Sequence, residues 1–258
     1  MKRSILIICA ILITISITAF GYLEWSDTVA DQDEISDNEN IIDIRTATDL
    51  LYNVDSRFIH TITKESLNKA KSIIDILPEK ATESIESYQA VKVSIIHGDK
   101  ETSETGDGDL LNTAQLKLLQ ATDYSTNIHI RANYKSKKAG TSELENDYLV
   151  YYMTIIPEKE AEYISGRDAL IAYLKENSKE KTAIIKQDQL EPGKVSFTIT
   201  KKGTVSNIKL TSTSGYPSVD KTLVELITNM PENWHPATNS KGENVDQELI
   251  FFFGLEGC

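Results

Sequence analysis

The sequence predicts an α+β protein in three parts: an N-terminal transmembrane helix, a small α+β middle domain, and a C-terminal domain whose three-stranded antiparallel sheet packs on helices. Three observations predict it. Lys2 and Arg3 precede an almost unbroken apolar run, Ile5 to Leu23, about long enough at roughly 1.5 Å per residue to cross a bilayer as a helix. Between residues 45 and 157, stretches of helical apolar spacing are interleaved with alternating ones. From Gly193 to Phe253 the pattern reads strand, glycine turn, strand, helix, strand.

The positive flank keeps the first residues in the cytoplasm and sends the rest across the membrane. A cleaved signal peptide is the competing reading, since Ala19-Phe20-Gly21 has the form of a cleavage site. Span length favours the uncleaved anchor, residues 1–23, which gives a single-pass membrane protein with its bulk exported. Residues 24–44 carry many acids and no Lys or Arg, a self-repelling solvated linker. The whole chain has 258 residues, 40% of them hydrophobic, enough for one or two domains with proper cores. A net charge of −12 repels phosphate backbones and argues against nucleic-acid partners. Cys9 and Cys258 stand at opposite ends, so no internal disulfide is expected.

In the middle domain, residues 45–157, Ala47, Leu50, Leu51, Val54 and Phe58 share one face of an expected helix. Leu67, Ala70, Ile73, Ile74 and Leu77 do the same in a second, ended by Pro78, and the two are expected to pair. Val91, Val93 and Ile95 alternate as a strand, Leu111 to Leu119 suits a short helix, and Ile128, Ile130, Ala132 and Tyr134 alternate again. Tyr148 to Ile156 is apolar or aromatic on both faces and reads as a central strand. The segments His97 to Asp109 and Lys135 to Asn146 read as polar, glycine-bearing connections.

In the C-terminal domain, residues 158–258, Val195, Phe197 and Ile199 alternate with Ser196, Thr198 and Thr200. Gly203 marks a turn, and Ile208 and Leu210 continue as a second strand, with a phase shift from Val205 that suits a bulge. Ser218 is placed to cap a helix with Asp220 in its first turn. Val219, Leu223, Leu226, Ile227 and Met230 recur at helical spacing until Pro231. Gln247 to Phe253 is the third strand, and Trp234 is expected to pack against the sheet.

The order Lys202-Gly203, Ser214-Gly215, Asp220, Met230-Pro231, Trp234, Pro236-Ala237 and Lys241-Gly242 resembles the C-terminal domain of TonB-type energy transducers. Upstream, Ala161 to Gly166 and Ala169-Leu170, Tyr173-Leu174 and Asn177 resemble the opening of that domain in transducers of the Bacteroidetes kind, so the resemblance covers about residues 161–258. It implies a non-enzymatic periplasmic module that binds an outer-membrane receptor by strand addition and drives active uptake, coupled to an inner-membrane proton-driven motor complex. The edge it implies is Val245, Asp246, Gln247, Glu248, Leu249, Ile250, Phe251, Phe252 and Phe253. An exposed strand edge offers unpaired backbone groups that tolerate many partner sequences. The chain departs from the family pattern in three places: Ile5 to Leu23 contains no histidine, the linker is not proline-rich, and Ser178 to Thr182 replace a tyrosine-proline pair. The missing histidine, the short acidic linker and the large middle domain favour an alternative reading, a membrane-anchored binding or sensor module that transduces no energy. A homodimer is compatible with either.

No catalytic, cofactor or metal set is expected. Ser66-x-x-Lys69 matches the motif of penicillin-recognising enzymes, but Ser-x-x-Lys recurs at Ser206 and Ser218, and no Lys-Thr-Gly follows. Asp99, Glu101, Glu104, Asp107 and Asp109 lack the spacing of a calcium loop. His60, His97, His129 and His235 lack the spacing of zinc ligands. Tyr148, Tyr151 and Tyr152 read as sheet packing, because aromatics are favoured on pleated surfaces.

Overall fold

The computed structural model describes residues 50–255 apart from 99, 139 and 232, and strands take 43% of them against 24% for helices. This corrects the expected fold class: the described chain is dominated by strands in several sheets. The expected membrane-spanning helix finds no counterpart, since no helix among the described residues is long and apolar enough to cross a bilayer, and Ile5 to Leu23 lies outside them. The acidic linker lies outside them too.

In chain order the elements are β1 (Leu51–Asp55), β2 (Thr61–Thr63), α1 (Lys64–Lys69), α2 (Glu79–Thr82), β3 (Ile85–His97), β4 (Lys100–Gly106), α3 (Thr113–Gln120), β5 (Asn127–Lys137), β6 (Leu144–Ile156), β7 (Glu162–Tyr163), α4 (Gly166–Thr182), β8 (Gly193–Ile199), β9 (Val205–Ser212), α5 (Pro217–Thr228), β10 (Trp234–His235), β11 (Ala237–Thr238), β12 (Asn244–Val245) and β13 (Gln247–Gly254). Five strands form one sheet in the order β2-β6-β5-β3-β4, and four form another in the order β1-β13-β8-β9. Only the β2–β6 pairing is parallel in these two sheets.

The first sheet buries one face. Val91, Val93, Ile95, Ile128, Ile130, Ala132, Met153 and Ile155 pack under Leu67, Ile73, Leu77, Leu111 and Leu119. The α3 helix is fixed by a reciprocal cap, in which Asn112 Oδ1 accepts the Gln115 N–H at 2.9 Å and Gln115 Oε1 accepts the Asn112 N–H at 3.0 Å. Three expectations fail here. The second predicted helix shrinks to α1, and Ile74 is exposed on the turn that follows. The His97 to Asp109 connection holds β4. Tyr148 to Ile156 is not central: β5 is, and Tyr148 and Tyr152 lie exposed on the sheet's open face.

The second sheet is four-stranded, not three-stranded, and its fourth strand corrects the first predicted helix. Leu51 to Asp55 alternates in burial, with Tyr52 and Val54 inward, and so satisfies a strand as well as a helical stripe. It pairs antiparallel with β13, Leu51 opposite Gly254 and Asp55 opposite Ile250, across the expected domain boundary. Tyr52 lies edge-on to Phe253 at 5.1 Å and stacks near Phe251 at 6.0 Å, and its hydroxyl bonds Ser178 Oγ at 2.7 Å. Behind this face, Leu170 and Leu174 of α4 and Val219, Leu223 and Ile227 of α5 complete the core.

The β8–β9 hairpin has one register shift where the sequence phase placed a bulge, with Asn207 at φ 51°, and a second between Leu210 and Ser212. Gly203 turns the hairpin at φ +76° and lies so close to Trp234 that a Cβ would stand 2.1 Å from the Trp234 carbonyl oxygen. The Gly203 carbonyl in turn accepts the Trp234 N–H at 2.9 Å, which explains why a glycine turn and a distant tryptophan go together. The α5 helix opens at Pro217 with Tyr216 at its N-cap and no side-chain cap, so Ser218 lies inside it. Asp220 does other work: buried, it accepts the Ser214 N–H at 2.8 Å and the Thr213 hydroxyl at 2.6 Å, fixing the turn that feeds the helix.

Trp234→Ala should cost about 3–5 kcal/mol in urea unfolding, because the ring is buried between Tyr163 and Phe197. A loss of only a few tenths would mean that the indole contributes no packing.

Candidate functional site

The predicted partner edge, Val245 to Phe253, is an interior strand. β8 pairs with it from Gln247 to Phe253 on one side, and β1 pairs with Ile250 to Gly254 on the other. The stretch that β1 leaves uncovered is occupied as well. Glu248 N–H donates to Ser125 Oγ at 2.8 Å, from a turn in which Ser125 has φ 62° and its own N–H bonds the Ile155 carbonyl at 2.7 Å. Gln247 is buried, its Oε1 accepting the Ala161 N–H at 2.8 Å and its Nε2 donating to Glu160 at 2.7 Å. Leu249, Phe251 and Phe253 belong to the core, and Val245 pairs with Ala237 in the β11–β12 ladder. Phe252 lies under the Lys194 ammonium at 5.6 Å. No backbone edge is open here, because the chain has filled it from within.

The remaining members of the set converge elsewhere. Val245, Asp246, Glu248 and Ile250 open into a cleft of about 790 Å³, within the size range of small-ligand sites. Its floor is the face of the second sheet opposite the helices: Ser196 and Thr198 of β8, Lys209 and Thr211 of β9, Glu248 and Ile250 of β13. Its walls come from the β1–β2 connection with Arg57, the end of β3 with His97, and the turn from Asp123 to Asn127. Arg57, Lys201 and Lys209 face Asp123, Asp246 and Glu248 across it, and no two of these six form an ion pair within 4 Å among the described residues. Asp246 is engaged by backbone instead, its Oδ1 accepting the Lys201 N–H at 2.7 Å. Burial pushes the Glu248 carboxyl up from its ordinary pKa, and the nearby charges of Arg57 and Lys209 only partly offset it. Such a cleft is equipped to hold a polar ligand carrying charges of both signs.

The other sequence candidates stay apart. Lys69 pairs with Glu65 within α1, and the Ser66 N–H serves to cap that helix through Thr63 Oγ1 at 3.1 Å. Glu101 sits on β4 beside Lys92 at 3.3 Å and His129 at 3.7 Å, and Asp99 lies outside the described residues. His60 packs on Tyr151 at 4.5 Å and His129 on Tyr152 at 4.6 Å. Among the described residues no group of three or more His, Cys, Asp or Glu side chains could hold a metal. Sequence reasoning missed Arg57, Ser125 and Lys209, which are distant in the chain; the polar run Asp123 to Asn127 between a helix and a strand was the available signal. Compared with known proteins, the chain matches no family model, no curated protein and no solved structure.

A carboxyl whose pKa is raised on folding contributes stability that is fully present below its unfolded value and lost as pH rises through the folded one. Glu248→Gln should therefore leave stability nearly unchanged at acid pH below the unfolded carboxyl range and raise it at neutral pH. Chemical unfolding at both pH values checks this, and equal effects at both would place Glu248 in a water-like environment.

Proposed function

We propose that the chain is a periplasmic binding module of the TonB transducer kind and not a catalyst. Its C-terminal sheet receives an extended segment of an outer-membrane receptor beside β13, and coupling to a proton-driven motor complex makes that contact serve uptake. One observation supports the reading above the others. β13 already takes an extended segment from outside residues 158–254 on that side, namely the five residues of β1, in regular antiparallel register. In the resting chain the acceptor position is filled internally, and a receptor segment replaces β1.

The energetics set what such a segment must look like. Releasing β1 exposes Tyr52 and Val54, each worth roughly 1.5–3 kcal/mol of burial, together with backbone pairing. A replacing strand offsets this only if it presents an aromatic and a β-branched residue at alternate positions, as β1 does. Asp55 and Asn53 face Arg167, whose guanidinium lies 3.5 Å from Asp55 Oδ2 and also donates to Asn53 Oδ1, so a polar or acidic outer position is favoured as well.

A second reading, a periplasmic binding or sensor module with no energy coupling, is favoured by the mixed-charge cleft of about 790 Å³.

Tyr52→Ala should lower stability by about 3 kcal/mol and, by raising the fraction of chain with β1 released, tighten capture of a receptor's extended segment at least about tenfold. Isothermal titration with synthetic segments from the outer-membrane receptors of the same cells measures it. Affinity unchanged by Tyr52→Ala would remove β1 exchange from the mechanism. Receptor-dependent uptake that persists when the chain is deleted from the cells would leave the binding or sensor reading.

A further inference from the structure

β6 runs thirteen residues, but β2 covers only its last three. The direction of its backbone groups can be read from three hydrogen bonds. Thr154 N–H goes to the His60 carbonyl at 3.0 Å on the outer side, whereas Ile155 N–H goes to the Thr126 carbonyl at 2.9 Å on the β5 side. Alternation then points the N–H and C=O groups of Tyr152, Val150 and Tyr148 outward. Tyr148 N–H is taken up locally by Asp147 Oδ1 at 2.8 Å, which agrees with that direction. Among the described residues no strand covers Val150 and Tyr152 on this side.

Sheet edges are ordinarily guarded by charged side chains, prolines or bulges. From Tyr148 to Thr154 there is no charged residue and no proline, and the β5–β6 register runs without a shift. The side chains are presented too. Tyr148, Val150 and Tyr152 are 59%, 40% and 42% exposed on the face away from the helices, and Ile59, just before β2, is 97% exposed. Phe58 extends the stripe, its ring 5.2 Å from Tyr152.

In a chain of net charge −12 this face is locally basic. Beside the stripe, β5 presents His129, Arg131, Asn133, Lys135 and Lys137. Lys137 pairs with Glu86 at 2.7 Å, and Lys92 of β3 with Glu101 at 3.3 Å, whereas Arg131 and Lys135 form no ion pair among the described residues. The Arg131 guanidinium lies over the Tyr148 ring, 4.9 Å from its centroid, and so reaches from β5 across the edge strand. Arg131 covers one face of Tyr148, and Tyr152 lies between His129 at 4.6 Å and Phe58, so little free ring face is left for ligands that bind by stacking. A second copy paired about a two-fold at Val150 would put both Arg131 side chains in one row of the joined sheet, two like charges with no partner. What remains on offer is backbone pairing, an apolar stripe and an unpaired cation.

We propose that β6 from Tyr148 to Tyr152 is a docking edge for an extended acidic segment of a partner protein. The segment adds as a further strand of the first sheet, sets apolar side chains against Tyr148, Val150 and Tyr152, and places a carboxylate on Arg131. This site is distinct from the β1–β13 position and stands whether or not that position exchanges strands.

The test uses the full chain and two capped heptapeptides, one alternating valine with aspartate or glutamate, the other with lysine at the acidic positions. The acidic peptide should bind, slow hydrogen exchange at the Val150 and Tyr152 amides, and lose at least about tenfold in affinity with Arg131→Glu or in the lysine version. Val150→Pro should abolish binding by removing an outward donor; Val150→Lys, which keeps the backbone intact, should weaken it and guards against a proline variant that fails to fold. The proposal is overturned by equal binding of the two peptides, by no binding up to about 1 mM, or by protection of these amides in the chain alone as its concentration rises, the signature of a second copy at this edge.

Discussion

The pairing of β13 between β1 and β8 is the constraint on which the rest of the structure depends. A last strand left at an edge would expose the Phe251 and Phe253 side chains at one flank and leave the backbone groups of Ile250, Phe252 and Gly254 to water. Tyr52 and Val54 close that flank, and the Tyr52 hydroxyl ties it to α4 through Ser178. Because β1 comes from the far end of the described chain, the segment that follows it must cross to the first sheet, and residues 56–60 do so. Phe58 N–H donates to Thr154 Oγ1 at 3.1 Å, and Ser56 Oγ donates to Glu160 at 3.4 Å. The five-stranded sheet is in effect an insertion between one strand of the second sheet and the remainder of it.

The cleft follows from that topology. Closing the β1 to β2 connection brings the turn at Ser125 onto the Glu248 backbone and holds the open face of the second sheet opposite the end of the first. Of the sheet residues that point into this space, Ser196, Thr198, Lys209, Thr211 and Glu248 are polar, in alternation with the buried Val195, Phe197 and Ile199, and Ile250 is the apolar exception. Burial holds the Glu248 carboxyl above its ordinary pKa, and no cation lies within ion-pair distance of it among the described residues, which singles it out within the cleft.

Much of the C-terminal domain was legible in the sequence because its signals are local. The alternation of Val195, Phe197 and Ile199, the glycine at the turn, the bulge phase and the helical spacing of Val219, Leu223 and Ile227 each depend on neighbours within a few residues. The failures share a cause of the opposite kind. Leu50, Leu51 and Val54 fit a helical stripe, and only pairing with the distant Phe251 and Phe253 places Tyr52 and Val54 in a sheet. Gln247 to Phe253 is plainly a strand in the sequence, but whether it is an edge or an interior strand depends on where residues 51–55 go. Tyr148 to Ile156 looked central because both phases are apolar, whereas β2 is too short to cover it and one phase is left in solvent. The cleft residues come from six separate segments, and no spacing in the sequence links Arg57 to Lys209.

The central claim, that a partner strand and β1 compete for one side of β13, is tested most directly by locking β1 in place. Asn53 and Phe252 are directly opposite across the two strands, a separation at about 4.5–5.5 Å between Cα atoms that a disulfide can bridge. With Cys9 and Cys258 replaced by serine, a chain carrying Asn53→Cys and Phe252→Cys should fail to capture a receptor's extended segment when oxidised and recover capture when reduced. Equal capture in both redox states would contradict the claim and make β1 a permanent part of the fold.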